Sequence, residues 1–239
     1  MTDSKLPFRQ GTFVAAIAGG LIGCILTIAL LLYAPNIVTT KIVRAGLIAD
    51  PRILSETVDA LRDAQYAPVL AANRAVLETP FGSSWKGAPK PDVTLIEFYD
   101  YACPYCKASN PHVDQLLHDD KGLRVVYREL PILGPDSITA ARLSLEASKA
   151  GRFARFHDAM WEAGRPAPDT IATAAQAASI SPTPQDDPLI EAELKRNFAL
   201  AGQLGATGTP LFVVGDRVMN GAVGYDMLKQ AIAEARRKG

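Results

Sequence analysis

The apolar residues of this chain follow three different rhythms. Residues 10–40 carry no charged side chain, and Phe13–Tyr33 is almost continuously apolar. At about 1.5 Å per residue, those 21 residues reach about 31 Å, the thickness of a hydrocarbon core. The run continues past Cys24 through Ile25, Leu26, Ile28 and Leu30–Leu32, too long for the apolar part of a cleaved signal peptide. It predicts an uncleaved signal anchor over 12–34 behind a short cytoplasmic tail, 1–11. Lys5 and Arg9 on one side and Lys41, Arg44 and Arg52 on the other leave the positive-inside count undecided. Arg9 sits nearer the apolar core than Lys41, which favours an inside N-terminus.

A helical rhythm follows. Asp50–Pro51 reads as an N-cap with proline in the first turn, and Ile53, Leu54, Val58 and Leu61 recur at helical spacing. Leu47, Leu54 and Leu61 are seven apart, a narrow stripe suited to packing on the main domain or on a copy of itself. Residues 35–79 therefore predict a helical connector. Residues 80–91, rich in Pro, Gly and Ser, predict a linker.

From about residue 92 the pattern becomes mixed. Val93–Tyr99 is β-branched and aromatic, as in a strand buried on both faces. A helix is expected to about His118, and a second strand over Leu123–Leu130. Several helices fill 136–203; in one of them Phe153, Phe156 and Met160 share a face that Gly164 ends, and Asp187–Pro188 caps another. Leu211–Val214, a turn at Gly215–Asp216, Arg217–Met219 and a helix from Tyr225 to Arg237 complete the chain. This order, β-α-β, helices, β-β-α, alternates too little for a Rossmann sheet.

Composition excludes more than it identifies. With 48% hydrophobic and 21% charged residues, a sizeable core is expected. Lys+Arg and Asp+Glu are each 25, so no basic surplus points to nucleic acid. Three cysteines in 239 residues exclude a disulfide-rich scaffold. Cys24 lies in the apolar run. Leu21-Ile22-Gly23-Cys24 looks like a lipoprotein processing box, but the apolar residues beyond it make an ordinary helical cysteine the simpler reading.

Cys103-Pro104-Tyr105-Cys106 is the remaining pair, at a strand-to-helix turn. The first cysteine falls at the helix N-terminus, where free N–H groups and the helix dipole stabilise a thiolate. The second lies one turn inside, and Pro104 suits the first turn. Cys103 is expected to attack a disulfide and Cys106 to resolve the mixed disulfide. A zinc site would need about two further ligands at matching spacing, which His112, His118 and His157 do not supply. A passive structural disulfide closing so small a loop would stabilise weakly.

Phe98–Cys106 together with Thr209-Pro210 resembles the thioredoxin superfamily. In that family a cis proline faces the CxxC and shapes the peptide-binding groove, a place Pro210 matches. Pro210 follows Cys106 by 104 positions, mostly helical, which resembles the DsbA-type oxidoreductases. The resemblance implies an α/β thioredoxin fold over 92–239, with a helical insertion at about 135–204. Ile42–Gln65 is similar to the N-terminal segment of ScsC-like and Com1-like proteins, some of which are trimers.

The resemblance implies catalytic Cys103, Cys106 and Glu97, the last a buried acid below the disulfide that moves the resolving cysteine's proton. It implies substrate contacts from Pro104, Tyr105, Thr209 and Pro210. No cofactor is implied beyond a redox-active Cys103–Cys106 disulfide, and no metal. Tyr105 departs from the Cys-Pro-His-Cys of the strong oxidases, and Thr209 resembles the disulfide isomerases. The implied partners are cysteine-containing exported proteins, the inner membrane, and either a DsbD/ScsB-like reductase or a DsbB-like oxidase. The expected location is a bacterial inner membrane, single-pass, with the catalytic domain in the periplasm. A rival reading has the same thiolates holding Cu(I) for copper tolerance. Another has an oligomeric scaffold carried by 42–66.

Overall fold

The computed structural model describes residues 40–238 together with 23, 24, 28 and 29. The expected anchor, 12–34, lies outside the described residues apart from those four. Among the described residues no helix is long and apolar enough to cross a membrane. The chain divides into two compact units, Met1–Ala60 and Leu61–Gly239.

The first unit is helical where described. Helix α1 covers 40–49, and α2, Arg52–Glu78, begins here. The Asp50 carboxylate accepts from the backbone N–H of Arg52 at 3.2 Å and from its guanidinium at 2.9 Å, as the predicted cap requires. Ile42, Val43, Ile48, Ile53, Leu54 and Val58 are all exposed.

In the second unit, five strands pair in the order β1-β3-β2-β4-β5. They are β1 Trp85–Gly87, β2 Val93–Tyr99, β3 Leu123–Glu129, β4 Leu211–Val214 and β5 Arg217–Asn220. Only β2 and β3 are parallel. The crossover between them is α3, Pro104–Asp119. Helices α4 Pro135–Lys149, α5 Phe153–Ala163, α6 Pro168–Ala177 and α7 Pro188–Gln203 separate β3 from β4, and α8 Tyr225–Lys238 closes the chain.

The expected linker needs a correction, because its middle is the edge strand β1. Three residues are too few to show a period of two, and they become a strand only by pairing with β3 at Trp85↔Val126 and Lys86↔Val125. The predicted caps hold. Gly164 ends α5 at φ 108°, and the Asp187 carboxylate accepts from Leu189 N–H at 2.9 Å at the start of α7.

Strand alternation sorts the core into two layers. On one face Leu95, Tyr99, Val125, Tyr127, Phe212 and Val214 pack with α3, α5, α6 and α8. On the other, Ile96, Phe98, Val126, Leu211 and Val213 meet Leu70 and Leu77 of α2 and Leu200 and Leu204 at the end of α7. Every β2 residue after Thr94 is buried, as expected for a central strand between two helical layers.

Candidate functional site

Central strand β2 runs directly into the CxxC. Cys103 is the N-cap of α3 with extended backbone (φ −82°, ψ 118°), and Pro104 occupies the first turn, where its missing N–H costs no helical bond. Asp100 fixes the approach. It is 1% exposed, and its carboxylate accepts from the N–H groups of Ala102 at 2.8 Å, Ile132 at 2.8 Å and Leu133 at 2.9 Å. Its carbonyl takes the Cys103 N–H at 3.0 Å. Asp100 thus ties the loop before the cysteines to the loop after β3, a role hidden in the sequence because Ile132 and Leu133 lie more than 30 positions away.

The two cysteines are free thiols with different surroundings. The Cys103 thiol donates to the carbonyl of Thr209 at 3.1 Å. The Thr209–Pro210 bond is cis, so the proline singled out in the sequence does stand against the first cysteine. Cys106 is fully buried, and burial pushes its thiol pKa well up, with the negative charge of nearby Glu97 as the next cause. Tyr105 points outward and is 64% exposed. The structure therefore gathers Cys103, Cys106, Thr209 and Pro210, places Glu97 close by, and leaves Pro104 and Tyr105 on the first turn of α3.

Glu97 is not on a solvated face. It is 1% exposed, and neither carboxylate oxygen has a hydrogen-bond partner among the described residues. Burial raises its pKa to about 8; the positive charge of Lys86 opposes that rise and Asp114 adds to it. Burial makes each of the two groups resist carrying a charge, and a charge on Glu97 penalises a second one on Cys106.

This perturbation sets a pH window for stability. The folded state keeps the Glu97 proton to about pH 8, whereas an ordinary glutamate gives it up near 4.5. The stability contribution is complete below that ordinary value and is lost as pH rises toward 8. Glu97→Gln is expected to flatten this loss and to exceed wild type at pH 9 by on the order of 5 kcal/mol. Urea midpoints at pH 5 and pH 9 measure it; equal pH dependence in the two proteins would contradict the burial of a titrating Glu97.

Sequence reasoning gave His157 no role, yet it lies at the centre of a buried polar cluster. Trp161 Nε1 donates to His157 Nε2 at 3.2 Å, and His157 Nδ1 meets the Tyr101 hydroxyl at 3.1 Å. Tyr101 also contacts Ser144 at 3.1 Å and Tyr99 at 3.1 Å, and Tyr99 donates to Glu129. Burial holds His157 well below the usual imidazole range and Glu129 well above the usual carboxylate range, so the neutral form of each is favoured. Tyr99 ends β2 and Tyr101 lies in the turn that follows it, so the cluster ties the approach to the cysteines to α4 and α5.

Residues 94–233 match the DSBA-like thioredoxin domain family. The chain belongs to that family. The DsbA-like domain is similar to a thioredoxin-like oxidoreductase from Silicibacter pomeroyi, at 35% identity and a TM-score of 0.64, over 69% of this chain and 98% of that one. A periplasmic thioredoxin-like protein of Salmonella enterica serovar Typhimurium is 30% identical, with a TM-score of 0.63, over 69% of this chain and 95% of that one. ScsC of Proteus mirabilis, in a transitional conformation, is 28% identical with a TM-score of 0.66, and the match covers 87% of this chain and 97% of that one. The chain also matches Na+/H+ antiporters NhaA of Salinispora, spanning only 12% and 24% of their length. The DsbA-like fold expected from the CxxC and the distant Thr-Pro is thus the one present.

Proposed function

We propose that the chain is a membrane-anchored, extracytoplasmic thiol–disulfide oxidoreductase acting on cysteines of exported proteins. The observation that carries this reading is the pairing of an N-cap cysteine with the carbonyl before a cis proline, above a fully buried second cysteine. Cys103 thiolate attacks a client disulfide, forming a Cys103–client bond and releasing one client thiolate. Cys106 then gives its proton to Glu97 and attacks Cys103 Sγ. The client's second sulfur leaves and the Cys103–Cys106 disulfide closes, so the pair loses two electrons and the client gains them. The reverse sequence oxidises a client dithiol. Tyr105, Thr209, Pro104 and Pro210 frame the groove in which the client backbone lies.

Thr209 and the exposed apolar stripe of the connector favour isomerase or reductase work by an oligomer, a trimer by the resemblance to ScsC. That work needs a DsbD/ScsB-like membrane donor; oxidase work needs a DsbB-like acceptor. The apolar run 12–34 supports a single-pass anchor in a bacterial inner membrane, and the periplasmic relative from Salmonella supports the side. Insulin reduction and reactivation of scrambled ribonuclease by the full-length chain in detergent test the reading. Activity above the uncatalysed rate is expected, and none above it would refute the enzyme. The equilibrium potential of the pair then separates the roles: about −120 mV marks a strong oxidant and more negative values an isomerase or reductase. A reporter fused after residue 40 that works only in the cytoplasm would overturn the orientation.

A further inference from the structure

The Thr209 carbonyl accepts from the Cys103 thiol, yet it stands on a segment with no regular structure of its own. Residues 204–210 run from the end of α7 to the start of β4 and belong to neither. Such a segment keeps one geometry only where its backbone polar groups find partners outside it.

Asn220 supplies two of those partners. It ends β5, opposite Leu211 in the ladder, so its amide stands beside the segment that enters β4. Both ends of the amide are used: Oδ1 accepts from the Thr207 N–H at 3.2 Å, and Nδ2 donates to the Gly205 carbonyl at 3.3 Å. The next residue, Gly221, donates its N–H to the Pro210 carbonyl at 2.8 Å. One corner of the β5 edge thus holds the segment before Thr209 and the residue after it.

Helix α2 supports the same segment through Tyr66. Gly205 has φ 67°, and a Cβ there would fall on the Tyr66 hydroxyl, so a side chain is excluded on two counts. Tyr66 and Ala206 both pack on the cluster that holds Leu70, Leu204 and Val218. The helix is also tied to the β4–β5 turn. Arg74 donates to Asp216 at 2.7 Å and to the Gly215 carbonyl at 3.3 Å, and Arg217 stands 3.8 Å from Asp63. Helix α2 therefore touches the hairpin at its turn and, at the other end, the segment that enters it.

We propose that Asn220 and Tyr66 are positioning residues for client binding, holding 205–208 so that Thr209 and Pro210 meet a client backbone already in place. The inference rests on the proposed thiol–disulfide reading and adds what keeps the client groove formed. A long client uses the groove, and a loose segment must be ordered each time one binds. A small disulfide needs only the Cys103 sulfur.

The test mixes the reduced full-length chain, in detergent, with excess insulin or excess hydroxyethyl disulfide. Closure of the Cys103–Cys106 disulfide is followed by acid quench and thiol labelling. Asn220→Ala loses both amide bonds, and its half-saturating insulin concentration is expected to rise about tenfold, with the limiting rate within about twofold. Tyr66→Ala should behave alike. Asn220→Asp keeps the acceptor for Thr207 and should fall between Asn220→Ala and wild type, which guards against a variant that merely folds poorly. With hydroxyethyl disulfide all three should stay within about twofold of wild type. An unchanged half-saturating insulin concentration in Asn220→Ala or Tyr66→Ala, or an equal loss with both disulfides, overturns the positioning role while leaving the enzyme standing. Wild type no faster than Cys103→Ser on either disulfide overturns the functional reading and this inference with it.

Discussion

Cys106→Ala is expected to turn the chain into a trap for its clients, and Cys103→Ser to abolish exchange. The two cysteines share a helix turn but not an environment. Cys103 takes the N-cap position against the Thr209 carbonyl and keeps 5% exposure; Cys106 keeps none, and its thiol is pushed up by burial. A sealed, protonated thiol cannot begin exchange, so loss of Cys103 removes the attacking member of the pair. Its turnover is expected to fall about 10³-fold or more, to the uncatalysed rate. Cys106→Ala keeps the attack and loses the resolution, so Cys103–client disulfides persist and appear as non-reducing gel bands that dithiothreitol collapses. The same two variants also separate redox work from Cu(I) binding. A dithiolate copper site would be lost equally in both, with no asymmetry between trap and dead protein. Equal behaviour of the two variants in the insulin assay and on the gel would sink the assignment of attacker and resolver.

That asymmetry was partly visible before any coordinates. Strand β2 could be placed because seven consecutive residues suit a two-sided buried strand, and both cysteines could be ordered because a strand-to-helix turn puts the first at the N-cap. The burial of Glu97 was not readable from its own neighbourhood. A carboxylate in a strand is solvated or sealed depending on what covers it, and the layer over it includes α3 and α5, one of which lies more than 50 positions downstream. Lys86 was harder still. It sits among chain breakers, in a strand that exists only through its pairing with β3, and its partners Asp114 and Asp158 come from two different helices. Local rules gave the caps at Asp50, Gly164 and Asp187 because caps are local. They could not give the contacts of Asp100 with Ile132 and Leu133 or of His157 with Tyr101, which are distant in the chain.

Arg128→Ala is expected to produce a large loss of stability with little loss of chemistry. Arg128 stands on β3 and is 2% exposed. It faces away from Glu97, into the layer beneath α2 and α7. Its guanidinium donates to Glu193 Oε1 at 2.9 Å and to Asn197 Oδ1 at 3.0 Å, both on α7. It also donates to the carbonyls of Leu77 at 3.2 Å and Thr79 at 3.0 Å and to that of Val76, at the end of α2. These carbonyls are among those a helix C-terminus leaves unpaired, and a cation there also meets the negative end of the helix dipole. Alanine would orphan several buried acceptors and leave Glu193, 4% exposed, with the Arg196 contact at 3.2 Å as its one remaining ion pair among the described residues. Removing one partner of a buried ion pair costs about 3–5 kcal/mol. Lysine keeps the charge but cannot fork toward two helices at once, so Arg128→Lys should recover less than half of the loss. Urea midpoints read the stability, and disulfide closure at 10 °C reads the chemistry, expected within about twofold of wild type because Arg128 lies on the other face of the sheet from the cysteines. A midpoint shift below about 1 kcal/mol would mean that the guanidinium does not tie α2 and α7 to the sheet.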